Sequence, residues 1–127
     1  MTRLLLAALL LAPLAFASGV EARTAEPVVV LRMTDGLQFV PARVKVRVGR
    51  RVVWRTVGTI AHTVTTVRAK AAKPADAGVP AGARAWDSGF VGSGRTYSRV
   101  FTVPGVYRYF CVPHEGARMV GTIVVTR

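Results

Sequence analysis

The sequence has few cysteines, histidines and acidic residues, which exported domains use for disulfides and enzymes use for catalysis. Its 127 residues include one cysteine and two histidines, and 6 acidic residues stand against 18 Lys and Arg. One cysteine cannot form an internal disulfide, and the C-x-x-C-H motif of haem attachment is absent. Apart from a short run near the N-terminus, no segment is long and apolar enough to span a bilayer. A chain of this length predicts one domain, because it is too short for two full cores.

The N-terminus has the pattern of a secretory signal peptide. Arg3 precedes an apolar run at residues 4–11, and Ala-Phe-Ala at 15–17 is typical of a cleavage site. We predict a signal peptide over residues 1–17 and a flexible polar leader over 18–27. The protein is therefore expected to be exported to the periplasm. An uncleaved leader that keeps it associated with the membrane is the alternative.

The charge balance restricts the partners. The formal net charge is +12, and the predicted signal peptide removes only Arg3. Such a charge favours acidic proteins, anionic membranes or nucleic acid. Export argues against nucleic acid, and the sequence has neither a recognition helix nor an interleaved aromatic and basic surface. We therefore expect an acidic protein partner and a monomeric chain.

The remaining sequence, residues 28–127, has the pattern of an all-β domain. In "ARVKVRVG" the valines alternate with charged residues, which is typical of a strand with one buried face. Gly49-Arg50 predicts a hairpin turn into "RVVWRTV", and "HTVTTV" predicts a further strand. Residues 68–85 are rich in Ala, Gly, Pro and charge and predict a long surface loop with at most one helical turn. The expected fold is a Greek-key antiparallel β-sandwich of about seven or eight strands.

Alternation along "GVYRYFC" separates its aromatic residues. Tyr107 and Tyr109 fall on the same face as Cys111, and we expect both tyrosines to pack in the core. Phe110 falls on the opposite face together with Arg108, so it is expected to point outward.

The residues that carry chemistry lie in "CVPHEGARM". Cys111, His114 and Met119 are soft or borderline donors, and His62 is the only other histidine. Two His, one Cys and a weak Met form the ligand set of an electron-transfer copper site. An inert thiol, ordinary histidines and a core methionine are the alternatives, and zinc also suits thiolate and imidazole. A nucleophilic Cys–His pair is disfavoured, because Cys111 ends a strand with no helix N-terminus to lower its pKa.

Longer stretches of the sequence show a family resemblance. "CVPHEGARM" resembles the copper loop of the plastocyanin-like cupredoxins in its spacing and in the placement of Pro and Gly. "FVPARVKVRVGRRVVWRTVGTIAHTV" and "WDSGFVGSGRTYSRVFTVPGVYRYFC" resemble further regions of that family, so the likeness covers about residues 28–126. It implies a cupredoxin fold with one type 1 copper ion, whose ligands are His62, Cys111, His114 and Met119. It also implies a carrier that shuttles single electrons between larger redox proteins, such as a cytochrome or a copper or haem enzyme, and that is not itself an enzyme.

The same resemblance suggests how partners dock. It puts His114 near the surface as the electron port, inside a small apolar patch with a neighbouring charge on Arg118. The patch residues are Pro113, Gly116 and Ala117. In plastocyanins an outward aromatic residue at the position of Phe110 belongs to a second docking surface. The sequence departs from the family at Thr63, because cupredoxins commonly have Asn after the first histidine.

Two other functions stay open at this point. The first is a periplasmic copper-binding or copper-delivery protein that does not cycle electrons, and the second is a metal-free interaction module. Three Met and two His are few for the open Met- and His-rich sites of copper handlers, which favours the electron carrier. Multicopper oxidases and copper nitrite reductases need further domains and more histidines.

Overall fold

The computed structural model describes residue 19 and residues 27–127. The predicted signal peptide and nearly all of the predicted leader lie outside the described residues. Within the described part, no helix has the length and the apolar character needed to cross a membrane.

Seven strands form two sheets, which confirms the β-sandwich. In chain order the strands are β1 (Val29–Thr34), β2 (Gln38–Val40), β3 (Arg43–Arg47), β4 (Arg51–Thr56), β5 (Thr96–Val100), β6 (Gly105–Phe110) and β7 (Val120–Thr126). The first sheet has the order β2-β1-β4-β5 and the second the order β3-β7-β6. Both sheets are mixed rather than purely antiparallel, because β1 pairs with β4, and β3 with β7, in parallel.

The turn at Gly49-Arg50 is present, but the predicted hairpin is wrong. Arg50 N–H donates to the Arg47 carbonyl at 3.2 Å, and Gly49 adopts a φ of 84°, which suits glycine. The strands on either side belong to different sheets, so the turn carries the chain across the sandwich. Both strands still bury their apolar residues in the shared core, which is why their alternation alone resembles that of a hairpin.

Aromatic side chains fill the core between the sheets. Trp54 is fully buried, and its ring lies 5.3 Å from Tyr109 and 6.2 Å from Trp86 between centroids. Tyr107 and Tyr109 are both buried, which confirms the prediction of core packing. Gly121 on β7 faces Tyr109 on β6, and a Cβ at residue 121 would overlap the tyrosine ring. Tyr109, two residues before Cys111, therefore requires a glycine opposite.

The segment between β4 and β5 differs from both sequence predictions made for it. "HTVTTV" makes isolated bridges, Thr65 with Phe110 among them, instead of a strand. The predicted loop 68–85 contains two 3-10 helices, Arg68–Lys70 and Pro74–Asp76, and it continues along β6 through a bridge from Gly78.

Phe110 is fully buried, so the prediction that it points outward was wrong. Alternation does put it on the face opposite Cys111, away from the main core cluster. That face is covered, however, because Thr65 pairs with Phe110 and the 3-10 helix Pro74–Asp76 contacts β6. Phe110 cannot belong to an exposed docking surface.

Candidate metal centre

Backbone hydrogen bonds close the loop between β6 and β7, residues 111–119, which we call the ligand loop. Cys111 follows β6, His114 lies in a 3-10 helix over Val112–Ala117, and Met119 directly precedes β7. The His114 N–H donates to the Cys111 carbonyl at 3.1 Å, and the Met119 N–H donates to the His114 carbonyl at 3.2 Å. The Cys111 N–H donates to the Met119 carbonyl at 3.0 Å, which joins the two ends of the loop. A 3-10 helix of six residues follows Cys111, where the sequence predicted no helix N-terminus, but the pKa of the thiol is raised rather than lowered.

His62 reaches the loop from the segment that follows β4. Its backbone exchanges two hydrogen bonds with Val91, at 3.2 and 2.7 Å, and these fix its position. Together with the ligand loop, this pairing brings two histidines and the only cysteine to one end of the sandwich. His62 and Cys111 are fully buried, whereas His114 is half-buried.

Three donor atoms converge at this point. The Nδ1 atoms of His62 and His114 are 3.3 Å apart, and Cys111 Sγ lies 3.9 Å from the first and 3.2 Å from the second. A point equidistant from three atoms separated in this way lies about 2.0 Å from each, whereas bonds to zinc are about 2.0–2.1 Å for imidazole and about 2.3 Å for thiolate. The triangle is therefore the size that a metal ion needs, and its soft and borderline donors suit copper.

The electrostatics of Cys111 and His62 favour their neutral forms. Burial raises the pKa of the Cys111 thiol, and the hydrogen bond from the Thr63 backbone acts in the opposite direction. The pKa of His62 is lowered, first because burial disfavours its charged form and second because of repulsion by His114. Neutral imidazole is the form that binds metals, whereas the thiol must lose its proton on binding.

Met119 lies next to this triangle in the chain and in the fold. Its side chain is fully buried in the same core cluster as Cys111, and its carbonyl accepts the Cys111 N–H. A buried thioether directly before β7 is of the type that serves as the weak fourth donor of a copper site. Its role as the axial ligand stays a prediction, as does the ligand role of the other three residues.

Thr63 connects the segment that carries His62 to the ligand loop through two hydrogen bonds. Its N–H donates to Cys111 Sγ at 3.3 Å, and its Oγ1 accepts the Val112 N–H at 2.8 Å. The departure from Asn therefore leaves a polar side chain that still fixes the loop of the cysteine. A hydrogen bond to the sulfur also stabilises a thiolate over a thiol.

Asp35 is a residue that the sequence reasoning missed. From the turn between β1 and β2, its carboxylate accepts the N–H of Thr59 at 2.9 Å and that of Ile60 at 3.0 Å. These bonds lower its pKa. A Cβ at Gly58 would overlap the carboxylate. Asp35 therefore anchors the segment just before His62. The only signals for it in the sequence were the Asp-Gly pair at 35–36 and the separate glycine at 58.

Sandwich, loop and donor triangle together define a copper-binding cupredoxin. Residues 26–126 match the family described as copper binding proteins, plastocyanin/azurin family, and the chain belongs to that family. Chloroplastic plastocyanin of Tetradesmus obliquus is 38% identical over 92 residues, which are 72% of this chain and 61% of that protein. Plastocyanin of Scenedesmus fuscus is 33% identical over 96 residues, which are 72% of this chain and 90% of that protein.

Solved structures show the same likeness. The Cu(I) form of an amicyanin mutant superposes with a TM-score of 0.61 at 26% identity, over 83% of this chain and 88% of that chain. The chain spans 61% and 56% of the length of the first two curated relatives that it matches, both of them chloroplastic proteins. The all-β fold and a copper-binding character of the chain follow from these comparisons.

Proposed function

We propose that the protein is an exported electron carrier that holds one type 1 copper ion between four side chains. The proposed ligands are His62, Cys111, His114 and Met119. The observation that carries this proposal is the triangle of two Nδ1 atoms and one Sγ, with all three sides at or below 3.9 Å. Bound copper supplies one-electron chemistry between Cu(I) and Cu(II).

The contribution of the protein to this chemistry is to hold its donors still. Both ends of the ligand loop are tied by backbone bonds, and Thr63 ties the loop to the segment of His62. Ligands held by such outer contacts do not have to reorganise when the charge of the ion changes. Four protein donors also leave no position for a substrate, so we propose no catalysis at this site.

The half-buried His114 is our candidate for the path of the electron. Its imidazole is the only one of the three triangle donors that is not fully buried. Around it, the loop exposes Pro113, Gly116 and Ala117. On the side of His62, Phe90 is 73% exposed and Ile60 is 37% exposed. An exposed apolar surface of this kind suits a brief encounter with a larger redox protein.

The charge distribution favours an acidic partner. The exposed residues of strand β3, which lies wholly in the described part of the chain, are all basic: Arg43, Lys45 and Arg47. A basic field of this kind speeds the encounter with an acidic protein and is screened by salt. We expect the rate of electron transfer to an acidic partner to fall as the salt concentration rises. A rate that does not change with salt contradicts steering by charge.

A titration of the purified protein with Cu(II) tests the proposed function. We expect an intense blue colour that a reductant bleaches and an oxidant restores. Cys111→Ser is expected to abolish the colour, whereas Met119→Leu is expected to retain copper and shift the reduction potential. A parent protein that stays colourless refutes the proposal. Colour without reversible reduction points instead to a copper-delivery protein.

A further inference from the structure

Two residues of the ligand loop reach outside the loop, and each is the chain neighbour of a proposed ligand. Glu115 follows His114, and Arg118 precedes Met119. Both side chains contact the segment that contains the two 3-10 helices between β4 and β5. The loop is thus attached to a second part of the molecule at two points, one beside His114 and one beside Met119.

The first attachment is a carboxylate with two backbone donors. Glu115 Oε2 accepts the N–H of Ala72 at 2.8 Å, and its Oε1 accepts the N–H of Lys73 at 3.0 Å. Glu115 is only 7% exposed. Since each oxygen has its own donor, the carboxylate is fixed in orientation as well as in position, and hydrogen bonds to a charged acceptor are strong ones.

The second attachment is a bidentate ion pair. Arg118 donates from Nη1 and Nη2 to the two oxygens of Asp76, at 2.6 and 2.9 Å. Asp76 is 8% exposed and lies in the 3-10 helix Pro74–Asp76. Two parallel N–H···O bonds define the angle between the partners, which a single contact does not.

Arg118 has a backbone conformation that is unusual for a residue other than glycine. This residue adopts the left-handed conformation, with φ 61° and ψ 34°, where the loop ends. Glycine adopts that conformation freely, whereas other residues are strained in it. A turn of this shape therefore favours glycine, and the arginine that occupies it makes a bidentate contact with Asp76 that glycine could not make.

We propose that Glu115, Arg118 and Asp76, which we call the clasp, are positioning residues for His114 and Met119. The clasp holds the ligand loop against the segment 72–76 so that the imidazole and the thioether keep their places when the metal changes its oxidation state. This inference rests on the proposed function. None of the three residues is itself offered as a ligand.

Variants of Arg118 and Asp76 separate geometry from charge. Arg118→Gly removes the side chain and keeps the backbone turn, while Arg118→Lys keeps the charge and loses the bidentate fork. Asp76→Asn combined with Arg118→Gln breaks the pair without changing the net charge. Lys70→Ala is the matched control, because it breaks the neighbouring ion pair with Asp87, which does not touch the ligand loop.

The readouts on the copper-loaded protein are its reduction potential and the intensity ratio of its two main visible absorption bands. We expect the reduction potential and the band ratio each to shift in Arg118→Gly, Arg118→Lys and the charge-neutral double variant, and the direction of each shift to be the same in all three variants. In Lys70→Ala both quantities should stay at the parent values. Variants that unfold at lower denaturant but keep the parent potential and band ratio overturn the positioning role.

Hydrogen exchange on the copper-free protein gives a second, independent readout. A glutamine at position 115 offers one carbonyl oxygen for two N–H donors, so Glu115→Gln is expected to speed exchange at Ala72 or Lys73 by roughly threefold to tenfold. Unchanged exchange there overturns the clasp. A parent protein without blue colour defeats the proposed function instead, while the exchange experiment still decides whether the loop is held.

Discussion

Thr63→Val tests the link between the two halves of the metal centre. Thr63 is 4% exposed, and its Oγ1 accepts the Val112 N–H at 2.8 Å. Valine has nearly the same shape and replaces this hydroxyl with a methyl group, so the change removes the acceptor and leaves the packing. The hydrogen bond from the backbone of residue 63 to Cys111 Sγ does not depend on the side chain.

The expected loss follows from the N–H group that is left without a partner. A buried donor that loses its acceptor costs about 1–3 kcal/mol. Val112 is 40% exposed, so water can partly replace the lost acceptor. We therefore expect the free energy of unfolding to fall by about 1–2 kcal/mol, because the N–H lies at the rim of the buried region. For a domain of about 100 residues, each 1 kcal/mol lowers Tm by about 4–8 °C.

Denaturant unfolding of the copper-free protein measures this loss in two ways. The difference between the parent and Thr63→Val isolates the hydroxyl at constant shape. The difference between Thr63→Ser and Thr63→Ala isolates it again after the methyl group is lost, and the two differences should agree within about 0.5 kcal/mol. If both differences are zero and the Val112 amide exchanges no faster in Thr63→Val, then the hydroxyl does not hold the loop.

Two further predictions concern the stability of the copper-free protein. Gly121→Ala forces a methyl group into the Tyr109 ring and is expected to cost about 1–3 kcal/mol of unfolding free energy, whereas Gly116→Ala, which has open space, should stay close to the parent in the same urea titration. Acid should destabilise the fold, because hydrogen bonds and ion pairs lower the pKa of three carboxyl groups below 3.8, namely those of Asp35, Asp76 and Asp87. The unfolded state then binds more protons than the folded state, so this stability is present above about pH 5 and is lost as the pH falls below about 4. Equal urea midpoints at pH 5 and pH 3 would contradict the acid prediction.

The strands β3 and β4 could be predicted from the sequence, but their assignment to different sheets could not. Alternating valines mark β3, and the same alternation marks β4 after the turn at Gly49. A tight turn between two half-buried strands serves a hairpin and a crossing between sheets equally well. What decides is that β3 pairs with β7, near the other end of the chain, whereas β4 pairs with β1. Local periodicity carries no information about that choice.

Phe110 shows the same limit for burial. Alternation correctly separates it from Tyr109 and Cys111, yet the face that it occupies is covered by the segment at 62–87. That segment is attached to β6 and the ligand loop by isolated bridges and carboxylate contacts. Such contacts need no regular spacing of hydrophobic residues, so the sequence pattern does not reveal them. Cys111 and His114 could be proposed as donors because their spacing is local, and His62 because it is the only other histidine in the sequence. Asp35 and the clasp had no such signal, because carboxylates and arginines are not singled out by rarity or by a local motif.

The placement of the acidic residues explains how a strongly basic chain keeps an ordered site. In the described part of the chain, each carboxylate fixes a loop: Asp35 binds the backbone before His62, Glu115 and Asp76 hold the ligand loop, and Asp87 pairs with Lys70. None of them lies on a strand. Neutralising Asp35, Asp76 or Glu115 should therefore disturb the geometry of the centre, whereas neutralising the exposed basic residues of β3 should change only the attraction of partners. Geometry and steering can thus be altered separately, since different residues serve them at different places in the fold.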